Sequence, residues 1–317
     1  MKAVVYLVLA TLFWAGNYVV GETAVKSMEP LALTWWRWAF AVVPLLVLAH
    51  VVERPDWRAV AARWRILLAM GCLGMGAYAL FLYGSLQYTT AVNASLINAA
   101  NPALIVVFAV LLLRARPGRR GWAGVLLGLV GVLLVLSGGH LDHLLAVRFN
   151  VGDLLMLGAI TVWALYTVLG RRVRLPAIAS TAAQVVFALA AMAPFAAVFG
   201  VPLPAGAPGW ASLGFVVLFP SIGSYLLWNA ALRTVAPGSA GMFLNLITVF
   251  TALAAVLLGR PLAPVQVLGG VVVLGGMVLT SLAPRGRTTP QPPAGSAIPA
   301  RPPAGSGVST RAGRASD

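Results

Sequence analysis

The sequence predicts an all-α polytopic membrane protein: ten transmembrane helices as two inverted five-helix repeats, followed by a disordered basic C-terminal tail. Three observations carry this. Sixty per cent of the residues are hydrophobic and only 9% are charged, outside the range of a soluble domain, which needs polar groups to cover its surface. Apolar runs recur at the length that crosses a bilayer, about 20 residues for about 30 Å of hydrocarbon. Lys and Arg gather in every second gap between those runs.

The runs are Ala3–Gly21, Leu31–Val51, Ile66–Leu86, Ala91–Leu113, Trp122–Ser137, Gly152–Gly170, Ser180–Gly200, Trp210–Leu232, Ser239–Leu258 and Val265–Leu282. The first is expected to be a mature span, because no small-x-small cleavage pattern follows it. Eighteen of the 22 Lys and Arg residues lie in the alternating set of gaps that includes both ends of the chain. The other gaps hold only Lys26, Arg148 and Arg260, and Arg37 lies within a span. The excess of cations on one side predicts cytoplasmic N- and C-termini. The net charge of +15 is accounted for in the same way, by loops and tail facing anionic headgroups. Nucleic-acid binding needs Lys and Arg on one folded face with stacking or base-reading groups, and that pattern is absent.

From Pro284 onward the chain is Pro, Gly, Ser, Ala and Arg, too poor in large apolar residues to offset its chain entropy. The expected organisation is a first repeat over 1–138, an outer linker over 139–151, a second repeat over 152–283 and the tail over 284–317. Residues 89–131 align with 234–276 at a constant offset, and the better signal lies in the loops. A five-span repeat must invert its second copy, so corresponding loops should exchange charge. The Arg-rich 54–65 corresponds to the charge-free 201–209, and Glu22–Pro30 with one Lys corresponds to 171–175 with three Arg. That is the signature of an inverted-repeat transporter with its site near the bilayer midplane.

Several stretches together resemble the EamA-domain proteins of the drug/metabolite transporter superfamily: Phe13-Trp14-Ala15-Gly16-Asn17, Trp36-Arg37-Trp38, Leu86-Gln87-Tyr88-Thr89-Thr90-Ala91, Asn150-Val151-Gly152-Asp153-Leu154, Trp163-Ala164-Leu165-Tyr166 and Tyr225-Leu226-Leu227-Trp228-Asn229. The likeness covers residues 3–282 as two consecutive units. It implies an inner (plasma) membrane exporter of small metabolites or amino acids, working by alternating access through a cavity between the repeats. The chain departs from the family pattern at four places. Ala115 and Arg260 stand where the fourth and ninth spans usually close with Glu, Thr248 replaces a Pro, and Glu22 replaces a common basic residue.

Polar and aromatic residues within the spans are the candidates for a substrate cavity. An unpaired amide in hydrocarbon costs several kcal/mol, so it must face protein or a wet space. Asn17, Asn98, Asn101, Asn229 and Asn245 meet that description, either as cavity groups or as interhelical hydrogen bonds. Trp14, Tyr83, Trp163, Tyr166, Tyr225 and Trp228 would supply amphipathic walls. Pro102 and Pro220 free a backbone carbonyl and are hinge candidates. Glu22, near the outer end of the first span, is read three ways: a coupling-proton site, a partner for Arg37, or a solvated interfacial carboxylate. Arg37 lies about 9 Å into the second span at about 1.5 Å per residue. It is expected to snorkel to the outer headgroups, or to serve as an outer gate or a carboxylate site. Asp153 is expected to cap the sixth span.

No catalytic group, metal or cofactor is expected. Of the three histidines His50 lies at the very end of the second run, and His140-Leu141-Asp142-His143 reads as an outer loop. The single cysteine, Cys72, is flanked by small residues suited to helix packing. The expected partners are a small-molecule substrate and the lipid bilayer, with no nucleic acid. The glycine faces Gly124/Gly128/Gly131 and Gly269/Gly270/Gly275/Gly276 would pack internally or dimerise, and a monomer suffices. A membrane-embedded enzyme acting on lipid and a non-transporting scaffold are the competing readings.

Overall fold

In the computed structural model, residues 2–114, 118–136, 150–170, 173–232, 234 and 242–281 are described. The linker residues 139–149, with His140 and His143, and the tail from 284 lie outside them. Among the described residues every regular element is helical. Among the described residues seven helical stretches are long and apolar enough to cross a membrane: Lys2–Ala24, Pro30–Glu53, Trp64–Leu86, Ala91–Leu112, Val151–Gly170, Ala177–Phe199 and Gly206–Trp228. Two shorter apolar helices, Phe243–Leu257 and Pro264–Gly276, follow.

Helix α1 (Lys2–Ala24) turns at Val25–Glu29 into α2 (Pro30–Leu48), where Pro30 occupies the first helical turn and so forfeits no intrahelical bond. A wide π turn, Ala49–Glu53, ends α2 at Arg54, which adopts a left-handed φ of 45°. The short α3 (Trp57–Ala61) is capped by Asp56, which accepts from the Arg58 amide at 2.9 Å. Helices α4 (Trp64–Met70) and α5 (Tyr78–Leu86) are joined without a break through π-helical Gly71–Ala77. Thr90 caps α6 (Ala91–Asn98) by accepting from the Asn93 amide at 3.2 Å. The helix breaks at Ala99–Ala100 and restarts as α7 (Asn101–Leu113), with Pro102 in its first turn. Helix α8 spans Arg119–Leu136.

The remaining elements are α9 (Val151–Gly170), α10 (Ala177–Phe199), α11 (Gly206–Val216), π-helical Val217–Gly223, α12 (Ser224–Leu232), a 3₁₀ turn Met242–Asn245, α13 (Leu246–Leu257) and α14 (Pro264–Ser281). The cap of α9 differs from expectation. Asn150 supplies it, its side-chain oxygen accepting from the Gly152 amide at 2.9 Å. Asp153 sits one step too far into the helix to cap it. It accepts from the Thr89 hydroxyl at 3.0 Å, fixing α9 to the α5–α6 turn. Helix α10 is closed from outside itself: the Glu53 carboxylate accepts from the Ile178 and Ala179 amides at 3.0 and 2.8 Å. A carboxylate on free amides at a positive helix end satisfies donors and dipole together.

The helices are apolar on their outer faces as well as inside. Val43, Leu111, Val198 and Leu257 are 61–78% exposed, which only a lipid surround makes favourable. The interior is rich in small residues, including fully buried Ala10, Ala32, Ala79, Ala94 and Ala159. Helix α1 packs on α11, α12 and α13; α9 packs on α5, α6 and α7; α2 lies on α10; and α8 lies on α14. At the last crossing the backbones meet. A Cβ at Gly131 would stand 2.7 Å from the Val273 amide nitrogen, and one at Gly276 would stand 2.5 Å from that of Gly128. Gly124, Gly128 and Gly131 thus meet Gly269, Val273 and Gly276 within the chain, while Gly270 faces Leu96 of α6.

Candidate functional site

The Pro220 ring leaves the Val216 carbonyl, four residues back, without its helical donor. The helix widens into the π turn Val217–Gly223, whose i→i+5 register brings the Ser221 amide to that carbonyl, and the Ser221 hydroxyl donates to the same Val216 O at 2.7 Å. Ser221 is fully buried. Its oxygen accepts from Arg37 Nε at 2.8 Å. Arg37 Nη1 donates to the Tyr83 hydroxyl at 2.8 Å, and Tyr83 donates onward to Asn17 Oδ1 at 2.9 Å. The guanidinium carbon lies 4.6 Å from the centre of the Trp38 ring. Trp38 in turn donates to the Met75 carbonyl at 2.8 Å, satisfying a group in the other π turn, Gly71–Ala77. Adjacent residues of α2 thus bind the widened turns of two different helices.

Arg37 does not snorkel. It is 4% exposed, because Ser221, Tyr83 and the Trp38 face hold the guanidinium inside the bundle. Nor does it pair with Glu22. That carboxylate forms an ion pair with Arg260 at 2.7 Å and accepts from the Ala91 amide at 3.0 Å. Next to it Gln266 donates to Asn93 Oδ1. This cluster ties the C-terminal end of α1 and the start of α6 to the α13–α14 connection, away from Arg37.

Arg37 forms part of the wall of a cavity that leaves about 90 Å³ open to the centres of water-sized molecules, room for several waters at about 10–15 Å³ each. Of the sequence candidates, Trp14, Asn17, Asn98, Asn101, Pro102, Trp163, Tyr225 and Asn245 also line it. The breaks in the helices explain how the asparagines arrive. Asn98 ends α6 and Asn101 begins α7, while Asn245 ends the 3₁₀ turn before α13. The Oδ1 atoms of Asn101 and Asn245 are buried with no hydrogen-bond partner in the protein. Of the two roles open to these amides, facing a cavity describes them better than interhelical bonding.

Three aromatic candidates stand behind the wall. Tyr83 is fully buried beneath Arg37. Tyr166 packs on Trp163 with ring centres 5.1 Å apart, and Trp228 packs on Trp14 at 5.4 Å. Pro220 acts through Ser221 and does not line the cavity. Asn229 lies on α12, and its side chain is outside the described residues. The reading missed Tyr18 and Tyr78, whose hydroxyls share a 3.2 Å hydrogen bond at the cavity wall. Tyr18 was within reach of the pattern, because Trp14, Asn17 and Tyr18 follow the i, i+3, i+4 spacing of one helix face. Ser221 carried no signal of its own beyond its place after Pro220. Among the described residues no group of His, Cys, Asp or Glu is placed to hold a metal.

Comparison with known proteins agrees with this architecture. The EamA-like transporter family matches residues 1–137 and 150–282. The uncharacterized transporter YyaM of Bacillus subtilis is 26% identical over 289 residues, covering 87% of this chain and 93% of its own. An uncharacterized Pseudomonas aeruginosa protein is 31% identical over 300 residues, covering 90% and 96%. The uncharacterized inner membrane transporter YedA of Escherichia coli is 26% identical over 282 residues, covering 86% and 88%. One solved crystal structure, 20% identical, superposes with a TM-score of 0.60 over 89% of this chain and 99% of its own, and shows the likeness of fold. Family and relatives alike point to transport across a membrane and not to enzymatic catalysis. The chain belongs to the EamA-like transporter family.

Proposed function

We propose that the protein is an inner-membrane secondary transporter that exports small metabolites, amino acids or related amphipathic compounds, by alternating access. The observation that carries this reading is the cavity itself. It is walled by aromatic rings and a buried cation, and two amide oxygens in it, on Asn101 and Asn245, have no partner in the protein. Buried polar groups without partners are costly, and a polar substrate or water in transit supplies what they lack.

The chain is read as ten spans in two inverted repeats, 1–138 and 152–283, with both termini cytoplasmic. The packing supports that reading through reciprocal pairs. Helix α1 on α11–α12 answers α9 on α5, α1 on α13 answers α9 on α7, and α2–α10 and α8–α14 each join equivalent spans of the two halves. The π turns Gly71–Ala77 and Val217–Gly223 fall at equivalent places in the third and eighth spans. Rocking of the halves would open the cavity alternately, with the Glu22–Arg260 pair as an outer closure. The inner-membrane assignment follows the relative YedA and the positive-inside distribution of charge.

The test is flux of pooled labelled amino acids in proteoliposomes, with and without a pH gradient. Saturable, protein-dependent flux supports the reading. No flux of any pool member by folded protein removes the amino-acid assignment.

A further inference from the structure

We propose that Arg37 is the anchor for a substrate carboxylate, so that the cavity selects compact zwitterions or acids and rejects their neutralised or cationic analogues. This rests on reading the cavity as the transport site, and names the chemistry of what enters it.

The argument starts from an unbalanced charge. A guanidinium carries five N–H donors and stays charged. Two of those of Arg37 are used, by Ser221 and Tyr83, leaving three without a protein acceptor among the described residues. The side chain is 4% exposed and lies in the cavity wall. One face is covered by the Trp38 ring at 4.6 Å, and with Nε given to Ser221 the untouched nitrogen is Nη2, so a carboxylate would be taken at the Nη end of the guanidinium. Both acceptors are neutral hydroxyls, and among the described residues no carboxylate lines the cavity. A buried cation with no counter-ion is a costly arrangement, and it is held here by fixed hydrogen bonds. An anionic ligand group removes the cost each time it binds.

The rest of the wall fits the remainder of such a ligand. The Oδ1 atoms of Asn101 and Asn245 lack donors, and an α-ammonium supplies three. Trp14, Trp163 and Tyr225 offer ring surface to an apolar side chain. The same Arg37 charge repels an organic cation, so amines without an acid group are poor ligands despite the aromatic walls.

The experiment compares acid and amide forms of the same molecules on the full-length protein. Calorimetric titration in detergent and competition of flux in proteoliposomes would use L-phenylalanine, L-leucine and L-threonine, each beside its α-carboxamide and methyl ester. The expected result is that at least one free acid binds and is carried, while its amide and ester bind at least tenfold more weakly. Arg37→Gln should lose that discrimination and Arg37→Lys should retain part of it. The wild-type acid-to-amide ratio needs no variant, so the test survives a misfolded Arg37→Gln. Equal binding of acid, amide and ester overturns the anchor while leaving the transporter reading intact. Absence of binding and flux for every compound, with folded protein, overturns the anchor and the amino-acid assignment together.

Discussion

Arg37 and Ser221, 184 residues apart in sequence, meet at 2.8 Å inside the bundle. The contact depends on a proline. Pro220 removes an α-helical donor, the π turn brings Ser221 to the Val216 carbonyl, and the hydroxyl, donating to that carbonyl, presents its lone pair to Arg37. Ser221→Ala leaves the buried Arg37 Nε–H without its acceptor, a loss of about 1–3 kcal/mol. The expected outcome is a lower melting temperature in detergent and weakened flux, with Ser221→Thr closer to wild type. A melting temperature unchanged by Ser221→Ala would show that the hydroxyl bridge is not structural.

Asn101 and Asn245 should separate stability from function. Their buried amide oxygens have no partner, so Asn101→Leu and Asn245→Leu remove unsatisfied groups and leave the melting temperature unchanged or higher. Transport should fall by at least tenfold in each. Loss of stability in step with loss of transport would mean the amides act as interhelical bonds instead.

The crossing of α8 and α14 tolerates no side chain at its closest points. A Cβ at Gly276 would lie 2.5 Å from the Gly128 nitrogen and 2.7 Å from the Gly124 carbonyl oxygen. Backbone cannot move aside as a flexible side chain can. Gly276→Leu should cost about 1–3 kcal/mol or more through overpacking, read as a drop in melting temperature. Gly118, with open space around its Cβ position, should accept alanine without measurable loss.

Glu22 and Arg260 offer a test of the outer closure. The Arg260 side chain is 49% exposed, so the pair contributes about 0–1 kcal/mol to stability. Its expected weight is on motion. Glu22→Cys with Arg260→Cys, in a Cys72→Ser background, should stop flux when bridged by a short reducible bis-thiosulfonate crosslinker and release it when reduced. Flux indifferent to the crosslink would exclude this contact as a gate.

Much of the fold was legible because it is written in coarse variables. Run length and composition mark the helices. The aromatic and amide residues were found because polar groups in hydrocarbon need a reason to be there. Side-chain direction was not legible. Arg37 looked able to snorkel because its depth in the span permits it, and only the tertiary partners Ser221 and Tyr83 turn it inward. Glu22 was read against Arg37 as the intramembrane cation nearest in sequence, whereas its partner Arg260 comes from the other end of the chain. Tyr83, Tyr166 and Trp228 sit on cavity helices but stand behind its wall, a rotation that composition does not encode. Asn150 took the cap expected of Asp153 because it precedes the first helical turn, and sequence resolves such boundaries poorly.

The most direct test of the account is counterflow of labelled amino acids in proteoliposomes containing wild-type protein, Asn101→Leu or Asn245→Leu. The account predicts saturable exchange by wild type that both variants lose while keeping the wild-type melting temperature. Exchange at the wild-type rate by both folded variants would contradict it, because the substrate would then be passing by a route that does not use the cavity.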